Sequence, residues 1–213
     1  MKIFVINLDS AKDRWEHYKD DDRYTRWSAT SVDELRDDHP IFKDLVSMWN
    51  IDPAEHNAKC ACYMSHTMLW KYIITNHLED VLILEDDAKL VNPIPDKSVL
   101  PQDGFSYLGG YTSHLRLTDG PKKVEFEEGI NTINHSDYRM LMMMAYYIPH
   151  WSVAHKMLQA VTERGRPRAI DTMVRHTHKS QYVSYPASFI ERDDPSQIRK
   201  KKRKHSNEFY EWT

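Results

Sequence analysis

Apolar and polar positions fall into blocks of alternating period along this chain. Residues 2–8 (KIFVINL) form an apolar run of strand length, and residues 81–84 form a second that leads straight into Glu85, Asp86 and Asp87. Unbroken apolar runs of this kind fit strands buried on both faces. Shorter strands are predicted over residues 24–29, 105–108 and 140–148. Residues 182–190 read as extended, with an edge or bend at Pro186. Between the strands the period changes. Cys62, His66, Leu69, Trp70, Ile73, Ile74 and Leu78 recur at spacings of three and four, which predicts a helix over 62–78 and a tight turn at Glu79-Asp80. Ser10, with Asp13 three positions on, has the spacing of a capping box and predicts a helix start. Further helices are predicted over 41–49, closed by Asp52-Pro53, over 152–161 and over 171–177. Alternating strands and helices predict an α/β fold, a central and mostly parallel sheet flanked by helices.

The acidic triplet is the first sign of chemistry. Ligands of open α/β sheets dock beyond the carboxyl ends of the strands, and residues 85–87 put three carboxylates at such an end. Clustered carboxylates repel one another unless a cation lies between them. Hard divalent ions such as Mn²⁺ or Mg²⁺ favour oxygen ligands of this type. Along a continued strand, Glu85 and Asp87 face one way and Asp86 the other. No G-x-G-x-x-G follows the first strand, and no G-x-x-x-x-G-K-[ST] occurs in a chain with only 6 glycines. A phosphate is therefore expected to be held through a metal rather than a glycine-rich loop.

Composition narrows the class. The 213 residues suit one domain with a full core, and 40% hydrophobic with 29% charged residues fits a globular chain. A formal net charge of -3 argues against generic nucleic-acid binding. The longest uncharged apolar stretch, 140–149, is too short to span a bilayer, and no signal peptide is read at the start. A cytoplasmic location is expected (host cytoplasm if the chain is viral). Cys60 and Cys62 read as free thiols of a reducing compartment. No zinc site is expected there, for want of a further Cys or a suitably spaced His. The basic run 199–204, in a tail spanning 199–213, reads as solvated, with peripheral contact to an anionic membrane as its other use.

Several segments, in order, resemble glycosyltransferase family 25, the lipopolysaccharide and collagen-type glycosyltransferases. Phe4-Val5-Ile6-Asn7-Leu8-Asp9 with Asp13-Arg14-Trp15 is similar to its N-terminal signature. Cys62-x-x-Ser65-His66-x-x-x-Trp70 resembles its central helix motif, and Leu82-Ile83-Leu84-Glu85-Asp86-Asp87-Ala88 its acidic, DXD-like metal motif. Tyr147-Ile148 with residues 154–158, Ala169-Ile170-Asp171, Tyr185-Pro186 and Ser196-Gln197-Ile198 resemble its later elements. The pieces cover most of residues 3–198, the expected domain. The match also resembles short glycosyltransferase domains encoded by large algal DNA viruses. Ala61 stands where the family has Gly, and Gln197 where it has Asp; residues 110–139 match no family element.

The resemblance implies a GT-A fold and an inverting transfer of a hexose or deoxyhexose from a UDP-sugar to a hydroxyl of a glycan or glycoprotein, with Mn²⁺ or Mg²⁺ on the diphosphate. Glu85 and Asp87 are then the expected metal ligands, and Asp86 is left for ribose or sugar hydroxyls. Asn7, Leu8, Arg14, Thr30, Ser65 and His66 are the other expected nucleotide-sugar contacts. His66 also reads as a satisfied core histidine, and Arg14 as a surface arginine. Asp171 is the candidate base for the acceptor hydroxyl; its structural reading is a helix N-cap. Asp119, Asp137 and Glu191 are fallback bases, and His176, His178 and His205 candidate third metal ligands. Tyr111, Tyr146, Tyr147 and Trp151 read first as core. Two other classes keep the same acidic strand end: a metal-assisted phosphate-ester hydrolase, and a non-catalytic nucleotide-sugar-binding module.

Overall fold

The computed structural model describes residues 1–35, 53–114, 126–133, 138–163, 169–174 and 181–192. Its strands are β1 (Lys2–Asn7), β2 (Tyr24–Ser28), β3 (Glu79–Glu85), β4 (Ala88–Leu90), β5 (Phe105–His114), β6 (Gly129–Thr132), β7 (Tyr138–His150), β8 (Gln181–Tyr185) and β9 (Phe189–Glu191). Its helices are α1 (Lys12–Trp15), α2 (Pro53–Thr75), α3 (Trp151–Glu163) and α4 (Ile170–Val174), with a 3₁₀ turn at Val32–Glu34. The strands form one sheet in the order β2-β1-β3-β7-β5-β8-β6, and β9 bridges β4 and β5.

β1 pairs in parallel with both β2 and β3, with Val5 opposite Arg26 on one side and Leu84 on the other. β7 runs antiparallel to β3 and to β5, while β8 returns parallel to β5. The chain leaves β1 to one side for β2, then crosses to the other side for β3. That reversal makes the β1/β3 boundary a topological switch point, where such sheets open a crevice beyond their carboxyl ends.

Side-chain alternation splits the core in two. Phe4, Ile6, Val81, Ile83, Tyr146 and Ile148 face α2, α3 and α4 and pack on Leu69, Trp70, Ile73 and Met157. Ile3, Val5, Leu82, Leu84, Ala145 and Tyr147 face the other way, onto Tyr18, Leu100 and Phe189. Long helices thus cover one face, and the short α1 with extended segments covers the other. Met140, Met143 and Met144 are core residues, as their apolar context implies.

Several element boundaries differ from those read in the sequence. α2 is described from Pro53 on, nine residues ahead of the predicted start at 62, and Asp52 lies outside the described residues. The helix predicted over 41–49 and the tail 199–213 lie outside the described residues. Ser10 caps nothing: α1 is a single turn with Ala11 at its N-cap and no side-chain cap bond. The turn expected at Glu79-Asp80 falls at Asn76–Leu78. There Leu78 N–H bonds Ile73 O at 3.0 Å and His77 N–H bonds Ile74 O at 3.2 Å, with His77 at φ 48. This is a Schellman closure made without glycine, on a residue type that tolerates left-handed backbone better than most. β5 and β7 run well beyond the predicted stretches, and Pro186 separates β8 from β9 as the bend implied.

Gly109 marks the tightest backbone approach. A Cβ built there would lie 2.7 Å from Phe189 O and 2.9 Å from Met144 Cε. Neither the β9 backbone nor the packed sheet can yield freely, so Gly109→Ala is expected to cost about 1–3 kcal/mol through overpacking. Urea denaturation checks it, and an unchanged midpoint would show that β9 moves aside.

Candidate functional site

Each layer delivers its own side chains to the end of β3. Alternation carries through Leu84 and Glu85 and ends there, because Asp86 and Asp87 belong to a turn. Glu85 points to the α2 side and meets His66; Asp86 points to the α1 side and meets Asn7 and Arg14. Asp87 sits between them, just before β4.

On the α1 side, Arg14 Nη1 lies 2.5 Å from Asp86 Oδ1, with side chains only 7% and 11% exposed. Asn7 Nδ2 donates to Asp86 Oδ2 at 2.9 Å and to Ala11 O at 3.0 Å, and Asn7 Oδ1 accepts from Arg26 Nε at 2.8 Å. Asn7 is therefore committed inside the protein, and it clamps α1 to the acidic turn. Burial pushes the Asp86 carboxyl up, against the pull of Arg14 and Asn7.

On the α2 side, Ser65 Oγ donates to Ala61 O at 2.7 Å and accepts from Thr30 N–H at 2.9 Å. Ser65 thus fastens the segment after β2 to the helix. His66 is buried between two partners: Nδ1 lies 2.9 Å from Tyr146 Oη, and Nε2 lies 3.1 Å from Glu85 Oε1. Trp70 Nε1–H donates to the same Tyr146 oxygen at 2.8 Å. The core-histidine reading of His66 holds, and this buried ring also steadies Glu85.

Asp87 is the unbalanced group. Its Oδ1 is enclosed and has no hydrogen-bond partner among the described residues. Burial raises its carboxyl well above the usual range, and the charges of Glu85, Asp86 and Glu191 raise it further; Arg14 opposes them. Glu191, at the end of β9, lies opposite Ala88, and Arg192 N–H bonds Asp87 O at 2.7 Å. An enclosed carboxylate oxygen without a donor, among three more carboxylates, fits a divalent cation with oxygen ligands.

A cleft of about 150 Å³ opens beside the triplet. At ~15 Å³ per water-sized site, that is room for roughly ten waters, so a multi-atom ligand fits and not an ion alone. Ile6, Leu8, Ala29, Val32, Ala58 and Ala61 form its apolar wall. Arg14, Thr30, Cys62, Ser65, His66 and the three carboxylates form its polar wall. Of the residues singled out in the sequence, eight lie here. Asn7 supports the site from behind.

Asp171 lies apart from that lining, within the first turn of α4 rather than at its N-cap. Its Oδ1 accepts Thr172 N–H at 2.6 Å, and its Oδ2 is 3.4 Å from Met142 N. It is close enough to Cys62 for its charge to raise that thiol, together with Glu85 and Asp87, burial being the largest cause. Tyr146 and Tyr147 are core, and Trp151 packs on His77 and His150 at the start of α3. Asp119, Asp137, His176, His178 and His205 lie outside the described residues, as does the Tyr111 side chain. Sequence reasoning gave no site role to Cys62. The signal was its place four residues before His66, on one helix face.

Residues 1–174 match the family model described as glycosyltransferase family 25 (LPS biosynthesis protein). The chain belongs to this family. Procollagen galactosyltransferase 2 of Mus musculus is 28% identical over 99 residues, which is 41% of this chain and 16% of the mouse protein. The chain matches only a minor part of that relative's length.

Removing one partner of the Arg14–Asp86 pair strands a buried charge, so Arg14→Met is expected to cost about 3–5 kcal/mol in urea denaturation. The double variant Arg14→Met/Asp86→Leu should regain most of that loss; equal losses in single and double variants would contradict the pairing. A second prediction concerns pH. The folded Asp87 holds its proton to higher pH than the unfolded carboxyl, whose value is near ~3.9. The folded state then binds more protons, so metal-free stability falls as pH rises through that interval. Asp87→Asn should flatten the fall and raise the metal-free melting temperature at neutral pH; a lowered one would show Asp87 is already compensated.

Proposed function

We propose that this chain is a metal-dependent glycosyltransferase of GT-A type, moving a hexose or deoxyhexose from a UDP-sugar to a hydroxyl of a glycan or glycoprotein acceptor with inversion. The observation that carries the reading is the enclosed, partnerless Asp87 Oδ1 at the mouth of a cleft with one apolar and one charged wall. The family match supports sugar transfer, and the galactosyltransferase likeness supports a hexose.

In this reading the apolar wall, from Leu8 to Ala61, takes the nucleoside, and the Thr30 segment fastened by Ser65 borders the base or ribose. Asp87 and Glu85 hold a divalent cation, Mn²⁺ or Mg²⁺, which would offset the charge that builds on the departing diphosphate. Asp86, fixed by Arg14 and Asn7, keeps the turn in shape and offers its remaining acceptor capacity to a donor hydroxyl. His66 keeps Glu85 aimed at the cleft. Asp171 takes the proton of the acceptor hydroxyl as that oxygen attacks the anomeric carbon. Its place near Cys62 but outside the cleft lining suits a group that serves the acceptor rather than the donor. Loss of that base is expected to lower the rate about 10²–10⁴-fold.

UDP should raise the melting temperature when Mn²⁺ is present and leave it unchanged without the metal. A UDP-release assay over a panel of UDP-sugars then identifies the donor. Asp171→Asn should retain the Mn²⁺-dependent thermal shift while UDP release falls; undiminished release would remove Asp171 from the reaction. Stabilisation by UDP independent of any divalent cation would contradict the metal reading.

A further inference from the structure

One face of α2 carries Cys62 and, one turn on, His66, and both turn toward the end of β3. A sulfur of Cys62, a ring nitrogen of His66 and a carboxylate oxygen of Glu85 all lie within 4.8 Å of one another. We propose that these three side chains form a site for a thiophilic divalent cation, Zn²⁺ or its analogues, on the α2 wall of the cleft. It goes beyond the glycosyltransferase reading, with which it shares Glu85 and the His66 that steadies it.

Three observations carry it. The donor set is sulfur, nitrogen and oxygen, which suits a borderline-soft ion; the hard ions expected at Asp87 favour oxygen alone. The spacing is near that of a bound state: tetrahedral zinc, with bonds of about 2.0–2.3 Å, holds its ligand atoms roughly 3.3–3.8 Å apart. His66 Nε2 and Glu85 Oε1 are at 3.1 Å already, so small side-chain rotations close the set. The imidazole is also held from behind. Tyr146 Oη engages Nδ1 at 2.9 Å and is itself fixed by Trp70, which leaves Nε2 as the nitrogen turned to the cleft. Metal-ligating histidines characteristically have their second nitrogen anchored in this way. A cation on Nε2 places the ring proton on Nδ1, where a Tyr146 lone pair accepts it, and the thiol proton passes to solvent. All three residues line the cleft, so a fourth position faces open space for water.

Cysteine spacing alone does not reveal this cluster. Cysteines 60 and 62 point to different surroundings: Cys60 is fully buried in the apolar core. Cys62 finds its partners four residues along the helix and across on β3.

Cobalt(II) titration of the metal-free full chain tests the site, because thiolate coordination produces a sulfur-to-cobalt charge-transfer band in the near ultraviolet. One such band should appear at one equivalent and be displaced by Zn²⁺. Cys62→Ser should abolish it, Cys60→Ala should retain it, and Tyr146→Phe should weaken cobalt binding about 10-fold. Far-ultraviolet circular dichroism confirms that each variant is folded. Asp87→Asn should keep the band, which separates this site from the oxygen site proposed for the transferase. No band in the wild-type chain, or a band that survives Cys62→Ser, overturns the proposal.

Discussion

Everything at this site turns on an imbalance of charge at the end of one buried strand. Glu85, Asp86 and Asp87 follow four fully buried aliphatic residues, so the chain cannot carry them far from the core. Water screens them poorly there, and each needs a partner from the fold. Asp86 has Arg14 and Asn7, and Glu85 has His66. Asp87 Oδ1 has none among the described residues. The fold thus gives two of the carboxylates partners and leaves an oxygen of the third without a donor among the described residues.

The sheet topology makes this arrangement possible. β1 lies between β2 and β3 and ends beside the acidic turn, so Asn7 and Leu8 arrive from one strand and the carboxylates from the next. Strand alternation sends Glu85 to the helical layer, and the turn that follows carries Asp86 to the α1 layer. One carboxylate then meets a histidine of a long helix, and the other an arginine of a single-turn helix. The 3₁₀ turn and the segment after β2 close the cleft from the third side, fastened by the Thr30–Ser65 bond.

Much of this was legible in the sequence, for identifiable reasons. The strands at 2–8 and 81–84 were readable because burial on both faces leaves an unbroken apolar run. The α2 face was readable because Leu69, Trp70 and Ile73 repeat at helical spacing. Boundaries were not, where local chemistry points both ways. Ser10 has a cap's spacing, yet α1 starts two residues later. The length of β5 and β7 depends on pairing with each other, which no local pattern reports. The triplet raised the expectation of a cation site, but which partner each carboxylate takes depends on cross-strand neighbours. Asn7 reads as a ligand contact in sequence and is a brace in the fold, because Arg26 and Asp86 reach it from distant segments. Cys62 received no site role because Glu85, which lies close to it in the fold, is twenty-odd residues away on another element.

Family membership and geometry point the same way, and the central claim is positional: a divalent cation bound with a nucleoside diphosphate sits on Asp87. A crystal of the chain grown with UDP and Mn²⁺, with data collected at the manganese absorption edge, tests this most directly. The account predicts one anomalous peak within bonding distance of Asp87 Oδ1, with the diphosphate oxygens on its far side. A manganese peak elsewhere, or a diphosphate bound in the cleft with Asp87 still uncompensated, would contradict it.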